Sequence, residues 1–589
     1  MELEILPRWD LSDLYSGPEA AELADDFNRV SAAAIKFKND YCGKVASLSA
    51  AELSDAVRHY EAAEDLLGRI SGFAQLYHAT KVSDREAGRF FQTTMERLST
   101  ITTKLIFFTL ELNRIEDDAL QVLLEADESL ARYKPWLRDV RASRSHQLSD
   151  EQEQLLHEKQ VTGRASWVRL FDETIADIRF DLDDEQLSLE KTLHLLSEPD
   201  SSKRKAAAKA LGQGFEKQKN LFALITNTLA KDKEIDDKWR KFARPDSSRH
   251  LSNLLENEIV DALADAVQEA YPLLSHRYYS LKAKWFGQKT LDYWDRNAPL
   301  PGDDQCTYTF ETARDLVLDA YHRFSPAMAD VGRRFFDNAW IDAPTSLGKS
   351  SGAFAHPTVP SAHPYLLLNY QGRTRDVMTL AHELGHGVHQ ILAGGQGALM
   401  ANTPLTLAET ASVFGEQLTF RALLDRETEP ARRKAMLAGK TEDMLNTVVR
   451  QIAFYQFERC LHEERRQGEL SVERIGEIWM AAQEESLGPA IRLHGEYANF
   501  WCYIPHFIHS PFYVYAYAFG DCLVNSLYAV YQKAEDGFAE KYMDMLSAGG
   551  TLRHKELLAP FELDATDPLF WQQGLGVIEG FVDELEALP

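Results

Sequence analysis

What most constrains this chain is where its helix breakers lie. Glycine has too much backbone freedom for a regular helix, and proline lacks the amide hydrogen a helix interior needs. Residues 1–200 hold ten glycines and prolines and residues 201–589 hold forty-three, about one per twenty positions against about one per nine. The first stretch is therefore expected to form long, uninterrupted helices. Between Ala50 and Leu67 the apolar residues Leu53, Val57, Tyr60 and Leu67 recur at the spacing of one helical face. Ahead of them, Ser49-Ala-Ala-Glu52 fits a capping box, in which serine and glutamate satisfy free amides of the first turn. A second periodic stretch, Arg89 to Leu112, is more apolar and is expected to be buried on more sides.

The charged stretch Asp183 to Lys205 contains Glu198-Pro199-Asp200-Ser201-Ser202. It suggests a boundary between an N-terminal helical domain, 1–200, and a second domain, 201–589. Helical patterning returns over 203–285, including Asn257 to Tyr271. From Asp292 to Asn402 prolines and glycines become frequent and apolar runs shorten. One such run, Tyr365 to Tyr370, bounded by Pro364 and Gly372, suits a strand. Helical patterning then resumes to the end. The expected fold class is mainly α, with a small β-sheet in the second half.

Composition narrows function before any motif is read. Hydrophobic residues make up 44% and charged residues 26%, with a net charge of −27. So acidic a chain lacks the basic surface that neutralises phosphates, so no nucleic-acid partner is expected, and no anionic membrane surface either. The most apolar window, Pro511 to Tyr531, is interrupted by Gly520, Asp521 and Asn525; it reads as a buried helix and not a membrane span. The chain opens without a basic start followed by an apolar stretch, so a cytoplasmic protein is expected. Cys42, Cys306, Cys460, Cys502 and Cys522 form no CxxC pair and read as reduced core thiols.

The chemistry is concentrated at His382-Glu383-Leu384-Gly385-His386. Around it Val377, Leu380, Leu384, Val388 and Ile391 recur at three or four. A helix is expected over Thr374 to Leu392, with Thr374 as N-cap, Asp376 in the first turn and Gly394-Gly395 ending it. On a helix the two histidines lie one turn apart and point the same way, and imidazoles so placed can hold one Zn²⁺ at about 2.0–2.1 Å each. Glu383 is close enough to reach a water on the metal. This is the HExxH arrangement, with the glutamate as general base. The two other His-Glu pairs, at His157 and His462, have Val161 and Arg466 where the second histidine would stand.

A catalytic zinc site needs a third protein ligand. His389 is near in sequence, but three turns of one straight helix wrap a tetrahedral ion poorly. The longer HExxHxxGxxH pattern fails, because His389 and Leu392 occupy its glycine and last histidine positions. Pro404 to Leu424 is helical in pattern and carries Glu409 and Glu416, seven apart and so on one face. Either can bind metal, and Glu416 can alternatively orient a ligating histidine. Thr406-Leu-Ala-Glu409 also fits a capping box, a competing use of that glutamate.

The run Thr379-Leu-Ala-His-Glu-Leu-Gly-His-Gly-Val-His389, followed by Leu407-Ala-Glu-Thr-Ala-Ser412, resembles the thimet oligopeptidase superfamily of zinc peptidases. The chain is most similar to its oligoendopeptidase F branch. Supporting stretches are Trp9-Asp-Leu-Ser-Asp-Leu-Tyr15, Tyr293-Trp-Asp-Arg296, Gly348-Lys-Ser-Ser-Gly-Ala-Phe354, Ile504-Pro-His-Phe507 and Pro511-Phe-Tyr-Val-Tyr515, so the resemblance covers nearly the whole chain. It implies a helical zincin-like peptidase, with a small sheet beside the HExxH helix and a deep channel that admits short peptides. It implies an endopeptidase with one Zn²⁺ per chain on His382, His386 and Glu409, and Glu383 as general base. It also implies that His506 contacts substrate and that tyrosines after it stabilise the oxyanion. Tyr513 and Tyr517, one helical turn apart, are the expected pair; Tyr515 cannot join them if the segment is helical. The number of subunits stays open.

Gly348-Lys349-Ser350 is not a nucleotide-binding loop, because Ala343 stands where that pattern needs glycine. Gly352-Ala353-Phe354 instead suits an edge strand able to pair with an extended peptide. His356 and His363 read as loop histidines, and Glu463-Glu464-Arg465-Arg466 as a solvated helix face. Two other functions draw on the same residues: a helical zinc carboxypeptidase, and an inactive protein that keeps a peptide groove. The presence of Glu383 with all three candidate ligands stands against the second.

Overall fold

The computed structural model describes residues 6–182, 185–300, 307–533 and 537–588, and among them helices dominate beside three small sheets. The chain divides into two compact units, each assembled from three stretches. The first comprises Met1–Arg144, Gln305–Arg426 and Lys533–Leu563, the second Ser145–Asp304, Glu427–Gln532 and Asp564–Pro589. Residue 200, where the sequence suggests a boundary, lies inside the second unit. There the Asp200 carboxylate accepts from the Ser202 amide at 2.8 Å and caps the 39-residue helix Ser201–Trp239.

In the first unit, the expected helix around Leu53 runs from Ala50 to Ala79 with its capping box formed. Leu53 and Val57 are wholly buried, each such side chain contributing roughly 1.5–3 kcal/mol. The stretch read as one helix over Arg89 to Leu112 is instead two, Arg85–Thr102 and Ile106–Leu112. Thr103 bends its hydroxyl back to the Ser99 carbonyl at 2.8 Å, a local bond that competes with the helix ladder. Nor is it buried on several sides: Ile106 and Leu110 are 48% and 41% exposed.

The sheet of this unit has the strand Tyr365–Tyr370 at its centre, as expected, parallel to Ile341–Pro344 and antiparallel to Phe354–His356. Burial of Tyr365, Leu366, Leu367 and Leu368 in turn explains the unbroken apolar run. Beside Ile341–Pro344 lies the N-terminal segment: the Ala343 amide donates to the Pro7 carbonyl at 2.9 Å, and the Asp10 amide to Ala339 at 3.0 Å. Lys349 joins the two parallel strands from within. Its buried ammonium donates to the Asp342 carboxylate at 2.6 Å and to the Pro344 and Leu368 carbonyls at 2.7 and 2.6 Å, a structural use of the Gly-Lys-Ser turn.

Helix Thr374–Ala393 passes beside this sheet. Its N-cap is Arg373 and not Thr374, because the Asp376 carboxylate accepts the amides of Gln371 and Arg373 at 3.0 and 2.9 Å. A Cβ at Gly385 would lie 2.4 Å from the Ala411 carbonyl oxygen, and one at Gly387 2.5 Å from the Phe335 ring. Those two glycines let the helix be crossed closely by its neighbours. The helix expected over Pro404 to Leu424 is broken into Leu405–Ala408 and Thr410–Arg426, with Glu409 in the break. Thr406 lies inside the short helix and is buried, so the alternative capping box does not form.

In the second unit, helix Asn257–Ala270 falls where its pattern placed it. Asp295 of the Tyr293–Arg296 stretch holds the buried Arg204 guanidinium at 2.7 Å. The apolar window forms helix Tyr515–Tyr531, almost entirely buried, and no described helix is long and apolar enough to cross a membrane. Cys502 and Cys522 are buried thiols, whereas Cys42 and Cys460 are exposed and not core residues. Cys306 lies outside the described residues.

Candidate metal centre

Helical spacing turns His382 and His386 to one side, their rings 4.9 Å apart between centroids. The crossing at Gly385 brings the start of Thr410–Arg426 against that side, and the break just before it turns Glu409 toward the histidines. One Glu409 oxygen, Oε2, lies 3.4 Å from His382 Nε2 and 3.5 Å from His386 Nε2. The Ser412 hydroxyl donates to that same oxygen at 2.8 Å and to the Glu409 carbonyl at 3.0 Å, fixing the carboxylate. From one face of the same helix Glu416 meets the other nitrogen of His382, Nδ1, at 3.3 Å. This is the carboxylate–histidine contact that sets which ring nitrogen carries the hydrogen.

These groups fit a zinc ion. Tetrahedral ligands at about 2.0–2.1 Å stand about 3.3–3.4 Å from one another, close to the two separations found. The three donor atoms lie within 4.8 Å of one another and form the one such cluster of at least three among the described residues. His389 takes no part: it is 6% exposed, and its Nε2 meets the Thr403 hydroxyl at 3.3 Å.

Burial and charge act on these groups in opposing senses. Burial disfavours a charged His382, but the hydrogen bond it donates to Glu416 and the charges of Glu409, Glu383 and Glu416 outweigh it and raise its pKa to about 9. Burial prevails at His386 and at His389, each lowered to about 4. Glu383, 7% exposed, is raised to about 7, chiefly by burial; the charge of His382 and the Ala355 amide hydrogen bond work against that. A carboxyl poised near neutrality suits a group that takes and returns a proton. Cations at the three donors favour neutral imidazoles, so they would release the His382 proton.

Two family models match the chain: "Peptidase family M3" over residues 194–577 and "Oligopeptidase F" over residues 111–180. The chain belongs to peptidase family M3. Oligopeptidase PepF of Bacillus subtilis is 27% identical over 602 residues, covering 100% of this chain and 88% of the relative. The Oligoendopeptidase F homolog of Borreliella burgdorferi is 26% identical, covering 99% and 98%. In fold, the M3 chain is similar to the crystal structure of oligoendopeptidase-F from Enterococcus faecium, with a TM-score of 0.71, 22% identity and coverage of 96% and 98%. The mainly helical fold with small sheets is that of the M3 peptidases, and this member is a metallopeptidase of the oligoendopeptidase F type.

The remaining candidates of this M3 peptidase lie in the second unit. His506 starts a four-residue helix, and its Nε2 meets the Tyr517 hydroxyl at 3.3 Å. The Tyr513 ring lies 5.3 Å from that of Tyr517 and 6.0 Å from that of His506. Tyr513 precedes the helix that starts at Tyr515, so the pair is not held by helical spacing. Tyr515 is wholly buried, and its hydroxyl accepts from Asn253 at 2.8 Å. His356 ends the edge strand instead of standing in a loop and meets Gln75 at 2.7 Å, while His363 stacks on Trp340 at 3.9 Å.

Sequence reading assigned no role to Ser412 or to the Ala355 amide. Ser412 closes the quoted Leu407–Ser412 run, and Ala355 follows the stretch read as an edge strand, so both signals were present without a geometry to interpret them.

Proposed function

We propose that this chain is a zinc-dependent endopeptidase that cuts internal bonds of short peptides, with one Zn²⁺ on His382, His386 and Glu409. The supporting observation is the convergence of both imidazoles on one Glu409 oxygen, with Glu383 on the same helix. Zinc at that position supplies Lewis-acid polarisation of a carbonyl and acidifies water. Glu383 accepts the proton of the attacking water as oxygen bonds to the scissile carbonyl carbon. It then delivers that proton to the amide nitrogen as the carbon–nitrogen bond breaks. Glu416 keeps His382 turned toward the ligand side, and Ser412 does the same for Glu409.

By the resemblance, His506, Tyr513 and Tyr517 are the groups that contact substrate and donate to the developing oxyanion, and a channel limits entry to short peptides. These residues lie within 201–589, the proposed catalytic part, with 1–200 as the helical part. A cytoplasmic location is part of the same proposal.

The test is an internally quenched peptide blocked at both ends, incubated with and without chelator, with the cut located by mass spectrometry. An internal cut lost with chelator and restored by zinc is the expected result. An intact blocked peptide beside a trimmed free one would favour the carboxypeptidase, and binding without any cut would favour the inactive peptide-binding protein.

A further inference from the structure

The apolar face of helix Ala50–Ala79 carries a carboxylate. Leu53, Val57, Tyr60 and Leu67 define that face, and Glu64 stands where its spacing calls for another apolar side chain. It is half-buried, and burial pushes its pKa up; the hydrogen bond with Tyr60 is its other influence. No basic side chain pairs with it among the described residues. A carboxylate kept in a desolvated position without a cation costs stability, which calls for a reason to keep it there.

The reason lies in what Glu64 faces. It lines a cavity of about 740 Å³ within the first unit, whose other walls include His386, His389 and Gln390. The cavity is preformed. Gly68, one turn on from Glu64, lets the helix press against the loop after the edge strand, since a Cβ there would sit 2.6 Å from Val359. Gln75 and Asp65 clasp the same segment through His356 at 2.7 Å and the Ser361 amide at 3.4 Å. Gln390 gives its amide hydrogen to the Ala355 carbonyl at 3.5 Å, while its Oε1 is buried without a partner among the described residues. Glu64, ionisable to an anion, thus has a hydroxyl donor in Tyr60 but no cation, and Gln390 Oε1 has no donor among the described residues. Arg334 also lines the cavity, but it is exposed and lies over the Trp340 ring at 5.3 Å, so water already solvates its charge.

We infer that this cavity is a substrate subsite for a cationic side chain, with Glu64 receiving the ammonium or guanidinium of a lysine or arginine in the bound peptide. The inference rests on the peptidase reading above. Because His386 is part of the wall, that residue stands within a few positions of the bond cut. The net charge of −27 attracts any cation, but only a built subsite discriminates one position from its neighbours.

The test is a positional scan with the zinc-loaded full chain. End-blocked quenched peptides carry lysine, norleucine or glutamate in turn at each of several positions on both sides of the cut. At one position kcat/KM for lysine should exceed that for norleucine by roughly ten- to a hundredfold, the range of a charged hydrogen bond. Glu64→Gln should bring that ratio close to one. The ratio is taken within one preparation, so any loss of folded enzyme cancels. Lack of a lysine preference at every position, its survival in Glu64→Gln, or a preference for glutamate would each overturn the subsite. Absence of all cleavage would overturn the peptidase reading and the subsite with it, and is distinguishable from cleavage without preference.

Discussion

The HExxH helix and the His506–Tyr517 loop are built by opposite means. In the first, a regular helix sets the directions of His382, Glu383 and His386, and one close crossing at Gly385 brings in Glu409. In the second, the chain is tied down by side chains distant in sequence. Arg164 holds the Ile508 and His509 carbonyls at 2.6 and 3.1 Å, and Arg249 the Pro511 carbonyl at 3.2 Å. Glu458 accepts the Phe512 amide at 2.9 Å. Phe512 itself is left-handed, with φ of 59°, a conformation that costs a non-glycine residue on the order of 1–3 kcal/mol and persists only under such restraint. Spacing alone thus conveys the geometry of a helical site, whereas a tethered loop is specified by residues spread over hundreds of positions.

The largest effect should come from the helical side of that contrast. Glu383→Gln should keep about one zinc per chain yet lose roughly 10²–10⁴-fold in turnover of an end-blocked peptide, read by elemental analysis beside initial rates. Glu409→Ala should instead lose the zinc. A Glu383→Gln enzyme within tenfold of the parent would move the base elsewhere. The loop is tested next. Tyr513→Phe and Tyr517→Phe remove one hydroxyl each, and the one that donates to the oxyanion should cost roughly 10²–10³ in kcat with zinc content and KM little changed. Should both retain full kcat, the loop has no part in the chemical step.

The smallest effect probes the tether. Burial pushes the Glu458 carboxyl up to about 8 from its ordinary 4.5, against the opposing hydrogen bond from Phe512. A carboxyl raised on folding adds stability that is fully present below about pH 4.5 and is lost as pH rises through about 8. Glu458→Gln preserves an acceptor for Phe512 and removes the titration. The variant should melt higher than the parent at pH 8.5, with the gap closing toward pH 5. Parallel melting curves of the two proteins across that range would show that ionisation of Glu458 places no load on the loop.

What could be read from the sequence follows the same division. The motif helix, strand Tyr365–Tyr370 and the Ser49 capping box were legible because each is a local pattern with a local cause. The break at Glu409 was not: Leu407 and Ala408 before it favour a helix, and no glycine or proline stands beside it. Tertiary contacts override propensity there. Thr374 lost the cap because Asp376 serves the amides before it. Glu64 was visible only as a gap in an apolar stripe, and its surroundings come from residues about 300 positions further on.

Gly385 and Gly387 carry one more implication. Neither offers a group to substrate or metal, yet any side chain at 385 meets the Ala411 backbone and any at 387 meets the Phe335 ring. In an exhaustive mutational scan both positions should tolerate as little as the histidines around them, because overpacking of this kind typically costs about 1–3 kcal/mol or more. Depletion of variants at these letters of the motif would therefore report the fit of neighbouring structure and not a further catalytic group. It would also limit how freely the motif can be grafted into another helix that lacks the same neighbours.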